Sequence, residues 1–270
     1  MTTFSVKSFD GLELNAVLSG DAAAPGVVLS HSIGCDLHMW DAIAGTLEAD
    51  FRVLRFDRRG HGRSGVPAAD AGIETLGRDV LAIMDACGLR RAHFVGLSQG
   101  GMEGMWLGAH ASQRIDHLVL ANTTAHLGVP AVIQGAIDAG RAQGMAAVGN
   151  GFLDRWLPEE FRTAEPEATA QLRSVFASMT PQGFAAPAAV LRDVDLRPDL
   201  SRIDAPTLVV VGGAEPPPLQ AAAQGLVAAI QGARLAVIAG AGHLSAVDHP
   251  DEFCALLHQF LGAARPLAGA

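Results

Sequence analysis

Apolar positions along the chain follow two spacings that alternate. Phe4–Phe9 and Leu12–Leu18 switch between apolar and polar residues around Asp10-Gly11, which reads as a β-hairpin. Gly26-Val27-Val28-Leu29-Ser30 is nearly all apolar, and Val53-Leu54-Arg55-Phe56-Asp57 is also strand-like. Leu76–Cys87 instead has helical spacing and stops at Gly88, a residue suited to cap a helix C-terminus. Ala92–Val95, Ile115–Leu120, Pro206–Val211 and Arg234–Ile238 read as further strands. Helical patterns begin at Gln99 and cover Ala221–Ile230 and Asp251–Leu261. Strands and helices that alternate with short links predict an α/β fold, a mostly parallel central sheet flanked by helices on both faces.

The alternation breaks after about His126. Residues 126–197 are rich in Ala and Gly, keep helical spacing, and contain Trp156 and several arginines. They read as a helical cap insertion, with 1–125 and 198–270 forming the core. An insertion above the carboxyl ends of the strands is well placed to cover a pocket.

Composition narrows the class. A chain of 270 residues suits one large α/β domain with an insertion, and 49% apolar residues can fill a sizeable core. The net charge of −9, with no basic cluster, argues against nucleic acid and anionic membrane surfaces as partners. The Met1–Asp10 start lacks the apolar stretch of a signal peptide, and no run approaches a membrane span. Cys35, Cys87 and Cys254 are odd in number and form no C-x-x-C pair, so a reducing cytoplasm is expected. Tyrosine is absent and so can supply neither acid, base nor oxyanion donor.

Chemistry concentrates at Gly96-Leu97-Ser98-Gln99-Gly100. A G-x-S-x-G pattern between a strand and a helix is a nucleophile elbow, in which a tight turn lifts the serine hydroxyl above the sheet. A serine needs a positioned base. Of ten histidines, His243 stands late in the chain, in the loop Gly240-Ala241-Gly242-His243 after a strand, as the order Ser–acid–His requires. His93, His117 and His258 fall inside predicted elements, and His61 in a turn with a structural role. The acid belongs after the strand ending at Val211, where Glu215 stands; Asp248, Asp193 and Asp195 are the alternatives. The turn Ala121-Asn122-Thr123-Thr124 offers no carboxylate. Backbone N–H groups of Gln99 and Ile33 are the expected oxyanion donors. This set calls for no metal and no cofactor.

With these pieces placed, the chain resembles the 3-oxoadipate enol-lactonases of the α/β-hydrolase superfamily. The resemblance rests on Leu29–Trp40, on Phe51–Asp57 running into Arg59-Gly60-His61-Gly62-Arg63-Ser64, on Ala92–Ser98, on Leu118–Thr123, and on Arg155-Trp156-Leu157. The chain departs from that family in having His31 where Asn is usual and Glu215 where Asp is usual. Ser32 also replaces a common glycine. The resemblance implies the α/β-hydrolase fold, no cofactor, and a role in bacterial breakdown of protocatechuate or catechol. The expected activity is a serine hydrolase that opens a small carboxylate-bearing enol-lactone. Arg155 and Arg162 are the candidate cations for that carboxylate, and Trp156 a candidate wall. The alternatives are a carboxylesterase on other small esters, with perhydrolysis as a side activity, and a non-catalytic ligand-binding protein on a hydrolase scaffold. The expected partner is a small molecule; oligomeric state has no signal in the sequence.

Overall fold

The computed structural model describes residues 1–262; residues 263–270, the Ala/Gly/Pro-rich end, lie outside them. Eight strands form a single sheet: β1 (Thr2–Lys7), β2 (Glu13–Ser19), β3 (Gly26–Ser30), β4 (Arg52–Phe56), β5 (Ala92–Leu97), β6 (Ile115–Ala121), β7 (Thr207–Gly212) and β8 (Arg234–Ile238). Their order across the sheet is β1-β2-β4-β3-β5-β6-β7-β8. The β1–β2 hairpin turns at Asp10-Gly11 and pairs antiparallel, as does β2 with β4; the pairs from β4 to β8 are parallel. The central strands β3 and β5 are buried at every residue, whereas the edge strands β1 and β8 are mostly exposed. That is why the former read as continuous apolar runs.

Helices α1 (Asp41–Leu47), α2 (Ile73–Ala86) and α3 (Gln99–His110) follow β3, β4 and β5. Strand β6 leads into α4 (Pro130–Gln143), α5 (Met145–Trp156), α6 (Glu159–Ala164), α7 (Pro166–Ser178) and α8 (Pro181–Asp193). After β7 and β8 come α9 (Pro217–Ala229), the short α10 (Ser245–Asp248) and α11 (Pro250–Leu261). Alternate residues along each strand feed two cores. Val27, Leu29, Val95 and Val119 pack with Ile43 and Leu47 of α1 and with Phe253 and Leu257 of α11. Val28, Phe94, Leu118 and Val209 pack on the opposite face with Val80 and Ile83 of α2, Met105 of α3 and Leu226 of α9. The period-two side-chain alternation of a strand makes this division.

Helix α2 shows how local sequence sets an element. Its buried residues Leu76, Val80, Ile83 and Met84 lie on one face at helical spacing. It ends at Gly88, whose φ of 69° lets its N–H reach Asp85 O and the Leu89 N–H reach Met84 O. This is the two-bond closure of a helix C-terminus that glycine favours. The helical segment between β6 and β7 packs α4 on α8 and α5 on α7. Gln99 Nε2 donates to Pro187 O at 2.5 Å, joining α3 to the middle of α8. No helix among the described residues is long and apolar enough to cross a membrane. All three cysteines are buried and unbridged.

Candidate active site

Ser98 stands between β5 and α3 with φ 58° and ψ −116°, a conformation that costs energy for any residue with a Cβ. The turn closes because its neighbours lack side chains. A Cβ on Gly96 would lie 2.1 Å from Gly100 O, and one on Gly100 would lie 2.3 Å from Ser30 O. The strained backbone is anchored by Ser98 N–H on Ala121 O at 2.8 Å and by Thr123 Oγ1 donating to Ser98 O at 2.7 Å.

His243 faces this hydroxyl. Its Nε2 is 3.0 Å from Ser98 Oγ, and its Nδ1 is 2.7 Å from Glu215 Oε1. A carboxylate beside Nδ1 keeps the proton there and leaves the Nε2 lone pair toward the serine. The His243 N–H donates to Trp156 O at 2.8 Å, so the end of α5 holds the histidine loop. Glu215 is buried in the turn between β7 and α9, and Gln220 Nε2 donates to its carbonyl at 2.8 Å. Of the alternative acids, Asp248 accepts from Gly242 N–H at 2.7 Å and lies beside His249, while burial pushes its carboxyl pKa up. Asp193 and Asp195 pair with Arg192 and Arg197 at the surface.

Ile33 and Gln99 both lie beside Ser98, Ile33 in the loop after β3 and Gln99 at the first position of α3. Among the described residues neither N–H has a hydrogen-bond acceptor. The Ile33 loop rests on two buried imidazoles. His61 Nε2 accepts the Gly34 N–H at 3.0 Å, and His31 Nε2 accepts the Arg58 N–H at 3.0 Å. Each ring donates its Nδ1–H to a backbone carbonyl, Arg59 O for His61 and Ser32 O for His31. Both are neutral: burial, followed by the Arg58 charge, holds His31 well below its usual value and His61 at about 3. Arg58 donates to His31 O at 2.7 Å and pairs with Glu103 of α3, which also accepts from Ser30 Oγ. The Arg58–Glu103 pair is fully buried; desolvation raises the Glu103 pKa, and the guanidinium opposes it. His31 therefore braces the loop from beneath and does not line the cavity.

A cavity of about 380 Å³ opens above Ser98 and His243. Its walls are largely apolar, with Leu127 before α4, Ile133 on α4, Phe152 and Trp156 on α5 and Leu191 on α8. Arg155 also lines it, its guanidinium 5.3 Å from the Phe152 ring centre. Arg162 is not among the residues that line this cavity. It pairs instead with Asp154 at 3.0 Å, a carboxylate that also holds Arg173. A larger cavity, about 800 Å³, lies behind the histidine loop against Phe161, Asp248 and His249 and contains none of Ser98, Glu215 and His243.

One residue near the site escaped the sequence reading. Asn122, just after β6, donates from Nδ2 to Glu215 Oε1 at 3.0 Å. No local signal marks an asparagine in a strand-end turn as the partner of a carboxylate 93 positions away.

The model for the α/β-hydrolase fold matches residues 25–250. The chain is 33% identical over 240 residues to 3-oxoadipate enol-lactonase 2 of Acinetobacter baylyi, covering 89% of this chain and 90% of that protein. The structure of the enol-lactonase from Burkholderia xenovorans superposes with a TM-score of 0.92 at 36% identity, covering 96% of this chain and 99% of that one. A hydrolase from Pseudomonas aeruginosa superposes with a TM-score of 0.93 at 42% identity, covering 97% and 99%. The chain belongs to the 3-oxoadipate enol-lactonase family of the α/β-hydrolase superfamily.

Proposed function

We propose that the chain is a cofactor-free serine hydrolase that opens a small carboxylate-bearing enol-lactone, taking 3-oxoadipate enol-lactone to 3-oxoadipate. The observation that carries the reading is the line from Ser98 Oγ through the His243 ring to Glu215 Oε1, at 3.0 and 2.7 Å. Ser98 Oγ attacks the lactone carbonyl carbon while His243 Nε2 takes its proton. Glu215 stabilises the imidazolium, and the N–H groups of Ile33 and Gln99 receive the oxyanion. The ring C–O bond then breaks, and His243 returns the proton to the departing enol oxygen. Tautomerisation of the enol to a ketone pulls the reaction forward. Water, giving its proton to His243, attacks the acyl-enzyme; the proton goes back to Ser98 Oγ as the acid is released. Helices α4–α8 act in this reading as the cap over the substrate.

Arg155 is the group we assign to the substrate carboxylate. It lines the cavity, and among the described residues its guanidinium has no carboxylate partner, whereas Arg162 and Arg173 share Asp154. A second reading, a carboxylesterase for neutral esters, is favoured by the apolar walls at Leu127, Ile133 and Leu191. One comparison separates them. Arg155→Ala should raise KM for the anionic lactone at least tenfold and leave a neutral short-chain ester nearly unchanged, because an Arg–carboxylate contact has no counterpart in the neutral ligand. Arg162→Ala should change neither. Equal efficiency on both substrates, with no selective effect of Arg155→Ala, would establish the esterase reading.

A further inference from the structure

Asn122 takes a conformation that needs a reason. Ser98 and Asn122 are the two non-glycine residues with positive φ among the described residues. Asn122, at φ 48°, is 2% exposed. Asparagine tolerates this region better than most residues, yet its side chain here is fully committed elsewhere. Nδ2 donates to Glu215 Oε1 and to Gly242 O, each at 3.0 Å, and Oδ1 accepts from Ser245 Oγ. The backbone N–H donates to Val210 O at 2.8 Å, which ties the residue to the end of β7. Glu215 Oε1 is the same atom that accepts from His243 Nδ1; Gly242 precedes His243 in its loop, and Ser245 follows it at the start of α10. One amide thus grips the carboxylate and both sides of the loop that carries the imidazole.

We propose that Asn122 is a positioning residue for the Glu215–His243 pair, holding the carboxylate on the imidazole Nδ1–H and fixing the separation between the two loops. The inference rests on the Ser98–His243–Glu215 reading above. A glutamate arm has one more rotatable bond than an aspartate arm, so an acid of this length needs a second fixed donor to present one oxygen to the ring. Asn122 acts through Glu215 and takes no proton itself. The other titratable groups around the loop are Asp248 on the Gly242 N–H, His249 beside it, and Arg155 across the cavity. None of these touches the Asn122 amide, so they remain in place when it is replaced.

The test is a double-mutant cycle on the full chain with p-nitrophenyl acetate as the ester probe, combining Asn122→Leu with Glu215→Gln. If Asn122 works through Glu215, Asn122→Leu should lower kcat at least tenfold with KM within about twofold. In the Glu215→Gln background the same change should cost less than about threefold, because the contact it removes is already broken. The low-field proton resonance of the His243–Glu215 bond should broaden or disappear in Asn122→Leu while Tm shows the chain still folded. If Asn122→Leu does not fold, Ser245→Ala, which removes the hydroxyl from Asn122 Oδ1, goes through the same cycle with a smaller effect of the same pattern. An Asn122 effect of equal size in both backgrounds overturns the inference and leaves the triad reading standing. A silent Glu215→Gln overturns both.

Discussion

At the scale of single residues, the two ends of the Ser98–His243–Glu215 line are expected to fail in a graded order. Ser98→Ala removes the attacking oxygen and should reduce turnover by about 10⁴-fold or more with Tm unchanged. Glu215→Gln keeps nucleophile and oxyanion donors, so turnover should fall strongly but less than in Ser98→Ala. Steady-state rates of both variants on one substrate check the order; near-wild-type turnover in Ser98→Ala would sink the mechanism. These three residues were legible in the sequence because each lies just past a strand end, where apolar runs and glycines mark the turn. The pairing of Arg162 with Asp154, eight positions away, was not legible, because charge on a helix does not state its direction. Asn122 and the Arg58–Glu103 pair were not legible at all. Their partners lie 93 and 45 positions away, and only the packed sheet brings them together.

At the scale of elements, glycines do two different jobs, and substitution should separate them. Gly88 ends α2 at φ 69° with nothing within 4 Å of a built Cβ. Gly88→Ala should therefore cost backbone strain alone, about 1–2 kcal/mol. Gly96 lets β5 and α3 meet; a Cβ there would lie 2.1 Å from Gly100 O, a backbone atom that cannot swing aside. Gly96→Ala should displace the elbow, lowering Tm and also turnover, whereas Gly88→Ala should lower Tm and leave kcat/KM unchanged. Thermal unfolding and kinetics of the two variants check this; loss of activity in Gly88→Ala would show that α2 reaches the site. The sequence foretold both glycines from opposite signals: the end of a helical repeat at Gly88, and a strand running directly into a helix at Gly96. It was less informative about helix-rich stretches such as 126–197, where alanine and glycine give regular spacing but little direction.

At the scale of the whole molecule, buried neutral imidazoles link stability to pH. Burial holds His61 at about 3 and His93, with help from His117, at about 4, both below the usual 6.5. As pH falls, the unfolded chain takes these protons first. The histidine contribution is thus fully present above about pH 7 and declines below 6.5, by up to about 1.4 kcal/mol per pH unit for each group. Glu103 and Asp79, whose pKa values burial raises, work in the opposite direction nearer the carboxylate range. Tm should therefore decline from pH 7 toward pH 5, and His93→Phe should flatten the decline. A slope unchanged by that substitution would remove His93 from the account.

The bond from His243 N–H to Trp156 O is made entirely of main chain. The same helix, α5, presents Phe152, Arg155 and Trp156 to the cavity through side chains. Selection or design can therefore rewrite what the cavity accepts at Phe152 and Arg155 without rewriting the main-chain support of His243, whereas Trp156, whose ring lies 5.2 Å from the His243 ring, touches both. A fold wired in this way can change its diet while retaining its chemistry.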